Sequence, residues 1–319
     1  MTSRSFAKRS WEISSRSATP AAAAPPLAAW LWAVAFAALA VAAFCQAARD
    51  VAIPPSQAFL AFNQKRADAF ARAGERDAPK ILLLGNSRLK YGTLGEAELG
   101  ELAAGLGHGR MRFLRLVNNW AVFEDFAGLE PTLLAARPDV LVLQTELLAQ
   151  ERAEPARAVL LRDYAEWSMV GRGPWNPGDV DQAELQYGTP CTRESGPKAL
   201  EERRRWVGRW LRVEPDGASA QLAERFVRRA LAQQITVILL QVPRTSAMEE
   251  ATVAENRQIQ TAVDRLMAAY PQIRLLAPAG PSDRRYCDLV HMDETGRRSF
   301  SRRLLDALFG LTRSSPAAP

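Results

Sequence analysis

A serine, a histidine and an aspartate occur in this sequence in an arrangement suited to nucleophilic acyl chemistry. Residues 81–88 read ILLLGNSR, an apolar run that stops at Gly85-Asn86-Ser87. Residues 286–304 read YCDLVHMDETGRRSFSRRL and put Asp288 three positions before His291. A serine hydroxyl becomes a nucleophile when an imidazole takes its proton, and an aspartate nearby can hold the tautomer and orientation of that imidazole. Histidine is scarce here, with only His108 and His291 in the chain. His108, in Gly-Leu-Gly-His-Gly, is expected to be a loop residue without a role.

Competing readings of the Gly-Asn-Ser turn are limited by what surrounds it. A phosphate cradle needs GxxxxGK[ST] or GxGxxG, and neither is present. The GxSxG elbow is also missing, because Arg88-Leu89 follows the serine. Taken alone, the tripeptide is ordinary turn composition. The three cysteines, Cys45, Cys191 and Cys287, show no CxxC spacing and no neighbouring histidine, which argues against structural zinc. No metal or organic cofactor is implied.

The elements that must position these groups follow from hydrophobic patterning. Continuous apolar runs at Ile81–Leu84, Phe113–Val117, Val140–Leu143, Ile235–Val242 and Ile273–Leu276 suit parallel strands covered on both faces. Amphipathic stretches at Gly95–Leu106, Phe123–Ala136, Ala218–Gln233 and Met248–Tyr270 separate most of them. This alternation predicts βαβ units and a three-layer α/β/α domain with a parallel central sheet, flavodoxin-like in type. Ser87 would then lie at the carboxyl end of the first strand, where open α/β sheets carry their sites. Asp288 and His291 follow the last strand and precede a final helix, Thr295–Phe309, with Phe300, Leu304, Leu305 and Leu308 on its buried face.

The stretch from 150 to 217 breaks the alternation and is read as an insertion, mostly loop and irregular helix. It contains GPWNPG at 173–178 and EERRRWVGRWLR at 201–212. The second of these is expected to be a docked surface helix with a solvated basic face. Its alternative is a binder of a membrane surface or an acidic glycan.

From Ser17 to Ala48 there is no charged residue, and Leu27–Ala47 is about as long as a bilayer-crossing helix. Arg4, Lys8, Arg9 and Arg16 precede it, so the positive-inside rule predicts a cytoplasmic N-terminus and an exported remainder. A cleaved signal peptide or a buried alanine-rich helix is the alternative. The expected organisation is a cytoplasmic tail over 1–26, a single transmembrane anchor over 27–48 and a stalk with a first helix over 49–79. The α/β domain follows over 80–312, and 313–319 is a disordered tail. In an oxidising compartment Cys191 and Cys287 could bridge; two buried thiols are the other reading. The net charge of +6 is mild and scattered, which argues against a dedicated nucleic-acid binder.

With these residues in view, the chain resembles the SGNH (GDSL-like) hydrolase superfamily over roughly 80–309. Ser87 in Gly-Asn-Ser matches that family's nucleophile turn, with Asn86 in the aspartate position. Asp288-Leu289-Val290-His291, followed by Gly296, matches its C-terminal Asp-x-x-His. The resemblance is closest to membrane-anchored, exported O-acyltransferases and esterases of cell-envelope glycans. It implies an acyl-serine route with Ser87, Asp288 and His291, an inner-membrane location with the catalytic domain outside, and an envelope polysaccharide or other acyl acceptor. It further implies a multi-spanning membrane protein as acyl donor. Two motifs depart from the family: Val117-Asn118-Asn119-Trp120 stands where a glycine is usual, and Gln144-Thr145-Glu146 where Gly-x-Asn-Asp is usual. Asn118 or Asn119, and Gln144 or Thr145, are therefore the candidate oxyanion donors, and Arg88 a candidate contact for an acceptor uronate or phosphate. The departures leave open a catalytically impaired scaffold or glycan-binding protein on the same fold.

Overall fold

The computed structural model describes residues 26–50, 57–72, 78–153 and 196–314. Cys191, the GPWNPG stretch and most of the two expected terminal tails lie outside the described residues. The chain divides into two compact units, Met1–Asp50 and Val51–Pro319.

The first unit contains helix α1, Leu27–Asp50. Its described apolar side chains, Trp30, Leu31, Trp32 and Phe36 among them, are at least 60% exposed. Among the described residues no helix is long and apolar enough to cross a membrane. The side chains of α1 are described only as far as Ala43, so the expected span over 27–48 lies partly outside them.

The second unit is built on five parallel strands: β1 Lys80–Gly85, β2 Arg112–Val117, β3 Val140–Gln144, β6 Thr236–Leu240 and β7 Arg274–Leu276. Their order is β2-β1-β3-β6-β7, and every pairing is parallel. The order reverses between β1 and β3, which creates a crevice at their carboxyl ends. Successive side chains alternate between the faces, as the strand period of two requires. Leu82 and Leu84 enter one core layer, and Ile81 and Leu83 the other.

Helices α2 Gln57–Arg72, α8 Ala218–Ala232 and α10 Val253–Ala269 supply Ala67, Phe226 and Val263 to the first layer. The second takes Leu89 from α3 Ser87–Gly92, Leu99 from α4 Glu96–Gly105 and Phe300 from α11 Glu294–Ser314. Burying each such leucine, valine or phenylalanine stabilises by roughly 1.5–3 kcal/mol. The expected three-layer architecture with a parallel central sheet is therefore present.

Three local expectations need correction. The single helix expected over 123–136 is two short ones, α5 Glu124–Ala127 and α6 Glu130–Ala135. Gly128 caps the first, and Pro131, which has no N–H to donate, occupies the first turn of the second. The helix expected over 248–270 starts earlier, as α9 Ser246–Ala251, and breaks at Thr252 before α10. Thr252 Oγ1 donates to the Met248 carbonyl at 2.7 Å. The insertion is also more regular than expected. Its described part holds β4 Gln150–Arg152 paired antiparallel with β5 Leu211–Val213, and helix α7 Pro197–Trp210.

His108 is likewise more than a loop residue. Its Nε2 lies 2.9 Å from Asp306 Oδ1, and its ring packs on Phe309 with centroids 4.2 Å apart, pinning the α4–β2 loop to α11.

Candidate active site

Strand β1 delivers Ser87 to the crevice, and the residues before it explain the sharpness of the turn. A Cβ on Gly85 would stand 2.5 Å from Gln144 Oε1 and 2.5 Å from Leu89 Cδ2. Only glycine leaves that room. Asn86 then caps α3: its Oδ1 accepts from the Arg88 backbone N–H at 2.9 Å. Gln144, at the end of β3, accepts from the Asn86 backbone N–H and donates to Asn86 Oδ1, both at 2.9 Å. Gln150 of β4 accepts from Asn86 Nδ2 at 3.1 Å. All three side chains are buried, so the turn is held by a closed set of hydrogen bonds.

The second half of the site is a loop closed by a bridge between Tyr286 and Met292. Within it the Cys287 N–H donates to the His291 carbonyl at 2.7 Å. Leu289 takes φ 72°, the left-handed region that a branched side chain rarely adopts. This tight turn lets one carboxylate hold both the backbone and the ring of His291. Asp288 Oδ1 accepts from the His291 N–H at 2.9 Å, and Oδ2 lies 2.7 Å from Nδ1. His291 Nε2 is 3.0 Å from Ser87 Oγ. Tyr91 packs edge-on against the imidazole, with centroids 4.7 Å apart.

Asp288 has a further partner. Arg203 of α7 donates from Nη2 to Asp288 Oδ2 at 2.5 Å. Burial alone would raise this carboxyl. The hydrogen bond and charge of His291 and the charge of Arg203 outweigh burial and hold it at about 2. The aspartate is thus ionised whenever the imidazole needs a negative partner.

The sequence-derived oxyanion candidates divide sharply. Gln144 is no such donor, because its amide Nε2 already donates to Asn86 Oδ1 and, at 2.8 Å, to Glu146 Oε2 in a fully buried position. Thr145 Oγ1 is turned to Glu146 as well, at 3.3 Å. Asn119 is exposed, and its backbone N–H donates to Asn118 Oδ1 at 2.9 Å. Asn118, at the end of β2, is buried and its Nδ2 has no hydrogen-bond partner. Arg88 does not stand free at the surface; it is buried and its Nη1 pairs with Glu146. Cys287 is disulfide-bonded, while its expected partner, Cys191, lies outside the described residues.

Ser87 and His291 open into a small cleft of about 50 Å³. Trp120, Arg203, Val207 and Arg244 also line it. None of these four was singled out for the site from sequence. Arg203 had a detectable signal, since Ala199, Arg203 and Val207 recur at four-residue spacing and face inward on α7. The constellation lines up a serine hydroxyl, an imidazole and a carboxylate within hydrogen-bond reach. Among the described residues no group of His, Cys, Asp and Glu could hold a metal ion.

No protein-family model matches this sequence, and no curated protein matches it. Solved structures similar to it include lipases, acylhydrolases and esterases. One is a lipase/acylhydrolase from Enterococcus faecalis, 13% identical, with 76% of this chain and 100% of that one covered and a TM-score of 0.40. An acetyl xylan esterase is 12% identical, covering 72% and 99% of the two chains with a TM-score of 0.41. A lipolytic protein of the G-D-S-L family from Desulfitobacterium hafniense is 12% identical, covering 71% and 98% with a TM-score of 0.36. Likeness at this level says nothing of the chemistry, which rests on the geometry of the cleft.

Proposed function

We propose that this protein is a serine-dependent acyltransferase or esterase of the SGNH type, acting on O-acyl groups of a cell-envelope or extracellular polysaccharide. The observation that carries this reading is the continuous chain from Ser87 Oγ through His291 to the ionised Asp288. Ser87 attacks the ester carbonyl of the acyl donor while His291 Nε2 takes its proton. The tetrahedral intermediate places its oxyanion against the Ser87 backbone N–H and Asn118 Nδ2. Collapse breaks the ester bond, and the proton on His291 goes to the departing alkoxide. The acyl-serine is then opened by an acceptor hydroxyl or by water, with His291 again acting as base. Asp288 supports the imidazolium formed in each half.

The acceptor hydroxyl makes the reaction a transfer, and a sugar acceptor is the one we favour. Support comes from the apolar exposed surface of α1 and from the uncharged stretch around it, which suit anchoring at the outer face of the inner membrane. A membrane-embedded partner would then hand over the acyl group. Localisation in the membrane fraction that resists alkaline carbonate, and loss of O-acyl groups from an envelope glycan when the protein is removed, are the expected results for this part.

The chemistry is tested by labelling the full chain with a fluorophosphonate. Wild type is labelled, and Ser87→Ala is not. Equal labelling of the two would remove Ser87 from the mechanism. Hydrolysis of p-nitrophenyl acetate no faster than by Ser87→Ala would instead identify a binding protein on this fold.

A further inference from the structure

The cleft beside Ser87 has a charge character that ester cleavage itself does not require. Among the described residues that line it three are arginines, Arg88, Arg203 and Arg244, and none is acidic. The arginines come from three separate parts of the chain: the nucleophile helix α3, the inserted helix α7 and the β6–α9 loop. Each has a carboxylate behind it. Arg88 pairs with Glu146, Arg203 with Asp288, and Arg244 with Glu249 at 3.0 Å.

Such backing fixes a guanidinium fork in place and leaves its other donors directed elsewhere. Arg244 donates to Glu249 through Nε and Nη2, and to Asn256 through Nη2, with no hydrogen bond from Nη1. Arg88 uses Nη1 for Glu146, while its Nε is buried without a partner on a side chain that is 9% exposed as a whole residue. Burial, and then the neighbouring charge of Arg244, press the Arg88 guanidinium well below its ordinary range. Each of the two forks keeps its own carboxylate, so what is left unmet beside Ser87 is hydrogen-bonding capacity. A buried donor left unpaired is itself costly.

We infer that Arg88 and Arg244 form an anion-binding subsite next to Ser87, so that the substrate carries a carboxylate or phosphate close to its ester or acceptor hydroxyl. This rests on the acyl-transfer reading and adds to it the class of substrate. The anion would accept from Arg244 Nη1 in the cleft that Arg88 also lines. It would hold the reacting oxygen against Ser87 and His291, an orientation that a neutral sugar would lack.

The test uses the full chain and an uncharged fluorophosphonate at limiting dose, at fixed ionic strength and neutral pH. Glucuronate, inorganic phosphate and glucose serve as protecting probes. Glucuronate or phosphate is expected to slow labelling of Ser87 at least several-fold, and glucose to leave it unchanged. Protection by glucuronate alone identifies a carboxylate substrate, and by phosphate alone a phosphorylated one. Arg244→Gln should lose the protection, and Arg244→Lys should keep part of it. Equal protection by glucose, or full protection of Arg244→Gln, overturns the subsite. A second readout needs no serine chemistry: the anions should raise the melting temperature of wild type but not of a folded Arg244→Gln or Arg244→Lys to the same extent. If Ser87 never labels and this shift persists, the acyl-transfer reading fails while the anion site stands.

Discussion

Arg203 and His291 share one oxygen of Asp288: Oδ2 lies 2.5 Å from Arg203 Nη2 and 2.7 Å from His291 Nδ1. The inserted helix thereby reaches the carboxylate that orients the base. Small apolar contacts reinforce the link, since Ala199, Leu200 and Val207 of α7 pack on Met248, Leu289 and Val290.

Asp288→Asn should cut kcat on the order of 10⁴-fold, because a neutral amide holds the wrong imidazole tautomer. It also has a pH signature. The carboxyl is held at about 2 in the folded chain, below its ordinary value of 3.8. Its contribution, roughly 2 kcal/mol, is therefore present above the unfolded pKa and is lost as pH falls through the folded one. Denaturant midpoints of wild type and Asp288→Asn should differ at neutral pH and converge between about pH 4 and pH 2.

Arg203→Met should move that convergence to higher pH, because the Arg203 charge is one of the forces that depress Asp288. Arg203→Lys should restore part of the shift. A role in packing alone would lower the melting temperature and leave the pH window where it was.

Asn118→Ala should lower kcat by about 10²–10³-fold with little change in KM, the effect of removing one oxyanion donor. Its Nδ2 has no partner in the resting site, so loss of that donor itself costs little stability. A purely structural Asn118 would give the reverse pattern, a lower melting temperature with kcat intact.

Gly85→Ala should destabilise by about 1–3 kcal/mol, since the added methyl meets Gln144 Oε1 and Leu89 side-chain atoms within 2.6 Å. The same displacement would disturb Asn86, so labelling of Ser87 should slow in any fraction that folds. Chemical denaturation and labelling kinetics on one preparation check both.

Arg152→Ala should cost about 3–5 kcal/mol. Arg152 Nη2 donates to both oxygens of the buried Asp125, at 2.8 and 2.7 Å. Burial already pushes the Asp125 carboxyl up to about 6 against the pull of Arg152, so removing the guanidinium leaves a buried charge without its counter-ion. Recovery of most of that loss in Arg152→Ala/Asp125→Ala, measured as a double-mutant cycle, is the expected outcome.

Much of the frame was legible because strand patterning is local. Each of the five apolar runs became a strand of the parallel sheet, since a run of leucine, isoleucine and valine between turn residues has few other ways to be buried. Helix breaks at Gly128 and Thr252 were missed, because amphipathic spacing continues across them while the backbone does not. Gln144 was misassigned for a different reason. An amide at the end of a strand looks like a free donor until its neighbours are known, and here Asn86 and Glu146 occupy it.

Local chemistry in the sequence determined the residue types at the cleft: a serine after the first apolar run and an aspartate three positions before a histidine near the end. What brought Ser87 within 3.0 Å of His291, across 204 residues, was the reversal of strand order between β1 and β3 together with the packing of α11 on α3. Arg88 was legible as a site candidate, but the gathering of three arginines at one cleft belongs to tertiary structure. Charges on three separate segments look solvated in sequence, and only the packing of α7 and the β6–α9 loop at the strand ends brings them to one cleft.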